Sequence, residues 1–105
     1  MGKEENAIQD KILKALLHVG GLFWRTNSGA FRGRNGRPVK CHSMQGVPDI
    51  LGCYRGRFIG IEVKTPKGTQ SKPQKTFETL LGDAQGIYIL ADDLDDVLTV
   101  VRGIR

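Results

Sequence analysis

The stretch Gly46-Val47-Pro48-Asp49-Ile50-Leu51-Gly52-Cys53-Tyr54-Arg55-Gly56-Arg57-Phe58-Ile59-Gly60-Ile61-Glu62-Val63-Lys64 reads as two strands joined by a turn. Ile50 to Tyr54 and Arg57 to Lys64 have the apolar content and alternation of sheet sequence, with Arg55-Gly56 between them as a two-residue connection. Such a turn pairs Tyr54 with Arg57, and counting back brings Asp49 opposite Glu62. Directly opposed residues hold their Cβ atoms about 4.5–5.5 Å apart, close enough for two carboxylates to ligate one ion. Period two puts Glu62 and Lys64 on one face of the second strand and Ile59, Ile61 and Val63 on the other. One face is then chemistry and the other core, with Gly60 leaving room beside Glu62.

Charge isolates these acids. Between Lys11 and Lys75 lie thirteen basic residues and only two acidic ones, Asp49 and Glu62, a sum of +11, while residues 1–10 sum to −2 and residues 76–105 to −4. A basic middle between mildly acidic ends is the charge footprint of nucleic-acid binding. An anionic membrane is the weaker reading, because the basic residues lie in Gly-rich and strand-like sequence and no apolar run approaches the roughly 20 residues of a span. At 105 residues the chain is expected to form one domain, residues 1–105, able to bury a core without metals or disulfides. Its start lacks the apolar stretch of a signal peptide, so a soluble, cytoplasmic protein with reduced thiols is expected. Cys41 and Cys53 match no zinc-site spacing and read as small semi-buried residues; Cys41-His42 is weak as a metal site.

Outward from the hairpin, Ile8, Ile12, Leu13, Leu16 and Leu17 recur at helical spacing, which predicts a helix from about Glu4 to Val19, stopped by Gly20-Gly21. Glu5 falls along the same stripe, where a carboxylate needs a partner, and Gln9 flanks it. Leu22 to Thr26 reads as a strand whose Phe23 and Trp24 belong to the core, followed by Asn27-Ser28-Gly29 as a turn. A basic hairpin around Asn35-Gly36 comes next. Beyond Lys64 a loop leads to Ser71-Lys72-Pro73-Gln74, which has the serine and glutamine of a capping box, and a helix whose buried stripe is Phe77, Leu80, Leu81 and Ala84. Gly86 to Ala91 is a short strand, and Asp92 onward begins a final helix. The fold class expected is α/β, a central mixed sheet flanked by helices.

Two hard carboxylate ligands and a neighbouring cation suit Mg²⁺, which takes one or two protein carboxylates and keeps positions for water and a phosphate oxygen. Such an ion polarises the phosphate and lowers the pKa of a bound water, while Lys64 can position that water or offset developing charge. Glu-x-Lys triplets alone carry little information, and Asp49 after a proline is an ordinary turn residue. The signal is the conjunction of Pro-Asp, a turn of the right length, an apolar strand entering Glu-Val-Lys and no other acid nearby.

Gly46-Val47-Pro48-Asp49-Ile50, Gly60-Ile61-Glu62-Val63-Lys64 and Ser71 with Gln74 resemble the VRR-NUC branch of the PD-(D/E)XK nuclease superfamily. Glu5 and Gln9 on the first helix, and Phe23-Trp24-Arg25-Thr26-Asn27-Ser28-Gly29, extend the resemblance over nearly the whole chain. It implies a restriction-endonuclease-like core and Mg²⁺- or Mn²⁺-dependent cleavage of DNA phosphodiesters, with Asp49, Glu62 and Lys64 as the central motif. It also implies a backbone carbonyl of Val63 on the metal, Glu5 reaching the site through water, and Gln74 supporting it, alongside Gln74's capping role. Small stand-alone members, of viral or prophage type, act as homodimers on branched DNA such as four-way (Holliday) junctions.

For DNA the expected contacts are Arg25, Asn27, Ser28, Arg32, Arg34, Arg37 and Lys40, with Lys67, Lys72 and Lys75 as a second basic edge. Phosphate contacts of this kind position rather than specify. The alternatives are a branched-DNA-binding module with an incomplete site, and a nuclease acting on RNA or on other DNA structures such as flaps and nicks.

Overall fold

The computed structural model describes residues 3–26, 31–32, 38–39, 44–66 and 68–105, with only the backbone for 31–32 and 38–39. Its elements in chain order are α1 (Lys3–His18), β1 (Leu22–Arg25), β2 (Phe31–Arg32), β3 (Pro38–Val39), β4 (Ile50–Tyr54), β5 (Arg57–Val63), α2 (Lys72–Asp83), β6 (Ile87–Ala91) and α3 (Leu94–Arg102).

The β4–β5 hairpin has the expected register: Tyr54 pairs with Arg57 and Ile50 with Ile61. Arg55 and Gly56 both take positive φ, 51° and 79°, as a type I′ turn demands, and this matches the right-handed twist of the strands it joins. Around this hairpin the main sheet runs β1-β4-β5-β6, with β1 antiparallel to β4 and β6 parallel to β5. The parallel pair needs a crossover, and α2 supplies it. β2 and β3 pair separately, Phe31 with Val39, as the basic hairpin requires; its Asn35-Gly36 turn lies outside the described residues.

Sheet alternation sends Ile59, Ile61 and Val63 to one face, where they form the core with Ile50, Ile89 and Ala91, with Ile12 and Leu16 of α1, and with Val97 and Val101 of α3. Each such fully buried side chain contributes roughly 1.5–3 kcal/mol. α2 covers the opposite face through Phe77 and Leu81. A Cβ on Gly60 would meet the Pro48 ring, Leu81 and Leu51, so the room expected beside Glu62 is taken up by packing rather than left open.

Some expected core positions lie outside it. The inward line of α1 runs through Gln9, Ile12 and Leu16, all fully buried, so Leu17 falls off it and is 75% exposed. The buried positions of α2 are Phe77 and Leu81, while Leu80 and Ala84 are exposed. β1 is an edge strand, and Trp24 on it is half exposed. Cys53 is exposed near the hairpin tip; Cys41 and His42 lie outside the described residues.

Candidate active site

Pro48-Asp49 enters the sheet just before β4 and is tied from several sides. Gly46 has φ +76°, and a side chain there would collide with the Pro73 carbonyl, so the segment lies directly on the first turn of α2. From β1, the Thr26 hydroxyl donates to the Pro48 carbonyl and the Thr26 amide to the Asp49 carbonyl at 2.9 Å. From β5, the Val63 amide donates to Asp49 Oδ2 at 2.9 Å. Asp49 is thereby fixed one step beyond the Ile50–Ile61 pair, across from Glu62, and the two carboxyl groups share a hydrogen bond.

Only 6% of Asp49 and 5% of Glu62 is exposed. Burial raises the pKa of both, because it removes the water that would solvate the charged forms. For Glu62 the negative charge of Asp49 adds to this and pushes it up to about 8; for Asp49 the Val63 amide works in the opposite direction. The Lys64 ammonium favours ionisation of both acids, which places it electrostatically beside the pair. Two carboxyls held this close titrate as a pair rather than as separate acids.

Glu5, on the first turns of α1, accepts a hydrogen bond from the Thr65 amide at 3.3 Å, and its charge bears on Asp49. It thus stands at the edge of the site. Gln9, one turn further along, is fully buried. Gln74 carries the capping box: its Oε1 accepts from the Ser71 amide at 2.8 Å while its own amide donates to Ser71 Oγ at 3.3 Å. Lys72 and Lys75 are exposed on the first turns of α2.

Arg25, expected as a phosphate contact, is bonded to α1. Its Nη2 donates to Asp10 Oδ1 and to the Asn6 carbonyl, each at 2.8 Å, and only 21% of its side chain is exposed. The expected DNA contacts Asn27, Ser28, Arg34, Arg37, Lys40 and Lys67, and the side chain of Arg32, lie outside the described residues.

Tyr88 is a residue of this face that sequence reasoning missed. The parallel register sets it beside Gly60, so its ring shares the face of Glu62. Burial pushes its hydroxyl up to about 12, with the charge of Glu62 adding to the shift and Gln70 as its polar neighbour lowering it. Period two within β6 groups Tyr88 with Leu90, but which face they take depends on a parallel partner some 28 residues away, a long-range fact with no local signal.

Among the described residues no three His, Cys, Asp or Glu side chains converge. The donor set is therefore two carboxylates rather than a closed cage, a set that fits a hard cation which completes its shell with backbone carbonyl and water oxygens. Neither the protein-family models nor the curated proteins contain a match to this sequence. A solved structure described as a VRR_NUC domain superposes with a TM-score of 0.65 over 99% of this chain and 100% of its own, at 17% identity. The fold is that of a VRR-NUC domain. In this VRR-NUC fold the expected core is met, a mixed four-stranded sheet with helices on both faces. At 17% identity the likeness is one of backbone arrangement, so the chemistry of the site rests on its own geometry. No helix among the described residues is long and apolar enough to cross a membrane.

Proposed function

We propose that this chain is a divalent-metal-dependent endonuclease that hydrolyses DNA phosphodiesters. The observation that carries this reading is the buried Asp49–Glu62 pair with Lys64 beside it, held by strand register on a nuclease-type fold. Asp49 and Glu62, with the Val63 carbonyl, would hold Mg²⁺ or Mn²⁺. When bound, such an ion polarises the scissile phosphate and makes an attacking water more acidic. Lys64 orients that water or offsets the charge that develops on the phosphate. Val63 keeps Asp49 in position, and Glu5 orders the start of the 65–70 segment that follows Lys64. Gln74 supports the site by capping the helix on which the Pro48-Asp49 segment rests.

Branched DNA is the proposed substrate, a four-way junction foremost, cut by a homodimer. A two-fold junction needs two symmetric incisions, which a C2 pair of sites delivers. The exposed Leu17, Leu22 and Trp24 give α1 and β1 an apolar surface of the kind that mediates self-association.

The test is incubation of the purified protein with labelled four-way junction, flap, linear duplex and RNA in Mg²⁺, Mn²⁺ or EDTA, with the mass measured by sedimentation. Metal-dependent cutting strongest on the junction, by a dimer, is expected. Lys64→Ala should lower cutting by at least about 10²-fold while junction binding in EDTA persists. Binding without cutting under any metal would leave only a DNA-binding module.

A further inference from the structure

Four chain segments meet at the acid pair, and their hydrogen bonds close into a ring. Val63 of β5 donates to Asp49 at 2.9 Å, and Thr26 at the end of β1 holds Pro48 and Asp49 by hydroxyl and amide. The next residue back, Arg25, pairs with Ile50 in the sheet and reaches to α1, gripping the Asn6 carbonyl and Asp10 Oδ1, each at 2.8 Å. Asn6 follows Glu5 in α1, and Glu5 accepts from the Thr65 amide two residues past β5, so these hydrogen bonds and the chain between them close the ring. Arg25 ties α1 to β1 on one side of the acids, as Glu5 ties it to Thr65 on the other.

We propose that Arg25 and Asp10 form a positioning couple that sets the first turns of α1, and with them the Glu5 carboxylate, against the metal-binding carboxylates, and that Arg25 is not a DNA contact. Its consequence for cutting rests on the nuclease reading. The geometry favours this over a phosphate contact. The guanidinium already satisfies two oxygens of α1, and its charge is opposed by Asp10 at contact distance. Asp10 itself is 64% exposed in its side chain, so the ion pair adds little to stability. What it supplies is placement, because a carboxylate on a helix is only as well aimed as the helix.

The two readings differ in what Asp10 does. A phosphate-contacting Arg25 would be hindered by the neighbouring acid, whereas a positioning Arg25 needs it. Arg25→Gln, Asp10→Asn and the charge exchange Asp10→Arg/Arg25→Asp are compared in three measurements. These are junction binding in EDTA across salt concentrations, Mn²⁺ binding by calorimetry, and hydrogen exchange of the Thr65 amide in the metal-free protein.

Both single variants are expected to weaken Mn²⁺ binding and slow cutting by about tenfold, the low end of what losing an outer-shell partner of a metal site costs. They should also speed Thr65 exchange and leave metal-free DNA binding within about twofold. The charge exchange should recover most of the loss, which a general folding defect would not. Weaker metal-free DNA binding with a shallower salt slope in Arg25→Gln, with Asp10→Asn unaffected or tighter, would overturn the proposal in favour of a phosphate contact. Thr65 exchange unchanged in both single variants would overturn it too. Should the wild-type protein neither bind Mn²⁺ nor cut, the nuclease reading falls, and Thr65 exchange alone decides whether Arg25 positions Glu5.

Discussion

At the scale of the residue, the proposed chemistry rests on two acids whose surroundings oppose their ionisation. Glu62 moves from an ordinary 4.5 to about 8 through burial and the charge of Asp49. Below 4.5 the folded and unfolded chains both hold the proton; between 4.5 and 8 the unfolded chain releases it and the folded one keeps it, so folded stability falls as pH rises through this window. Thermal melts of the metal-free protein should therefore show a Tm that declines from pH 5 to pH 8, and Glu62→Gln should flatten the decline. If the pair holds a divalent ion as proposed, binding must displace the Glu62 proton, so Mn²⁺ affinity should climb by up to about tenfold per pH unit over the same range. Asp49→Asn keeps an acceptor for the Val63 amide while removing one charge. At pH 8 without metal it should gain about 1–2 kcal/mol and raise Tm by about 5–10 °C while losing activity. A lower Tm would mean that the charged Val63–Asp49 bond outweighs the repulsion. The identity of both acids and their opposition could be read from strand period and turn length. Their near-complete burial could not, because local alternation marks that face as polar and what packs over it comes from distant parts of the chain.

Among the elements, the hairpin was legible for a local reason: a two-residue turn between two apolar runs fixes the register without reference to the rest of the chain. The capping box of α2 was legible on the same ground, since Ser71 and Gln74 serve each other three residues apart. What joins α2 to the site was not, because Gly46 reads as a loop glycine until its partner, the Pro73 carbonyl some 27 residues on, is known. Gly46 and Gly56 separate two costs. Both have positive φ, +76° and +79°, but a Cβ on Gly56 would meet nothing within 4 Å while one on Gly46 would strike backbone. Gly56→Ala should cost about 1 kcal/mol, the conformational term alone, and leave cutting intact. Gly46→Ala should cost about 2–3 kcal/mol in urea unfolding, because Pro48-Asp49 must lift from α2, and should weaken Mn²⁺ binding as well. Equal losses in the two variants would mean that the 44–49 segment yields without disturbing the acids.

For the molecule as a whole, the basic stretch from Lys11 to Lys75 was visible as a block, but the role of each member depends on the fold. Arg25 sits in that block and is bonded to Asn6 and Asp10 of α1, while Lys72 and Lys75 stand exposed on the end of α2 that carries Gly46 and the Pro48-Asp49 segment. Both lysines lie at the N-terminal end of α2, where the helix dipole adds partial positive charge. In the proposed reading a phosphate backbone meets this edge on its way to the acids. Each phosphate neutralised releases counterions, so binding should fall with salt with a slope of about −0.9 per contact. Lys72→Ala/Lys75→Ala should make that slope shallower by about 1.8 and weaken metal-free binding of junction and duplex alike, while turnover at saturating DNA stays within about twofold. The measurement is fluorescence anisotropy of labelled junction in EDTA over a salt series, paired with single-turnover cutting in Mg²⁺. An unchanged slope with slower turnover would move both lysines from the docking edge to the reaction itself, and would mean that the remaining basic residues of the block bring the DNA in.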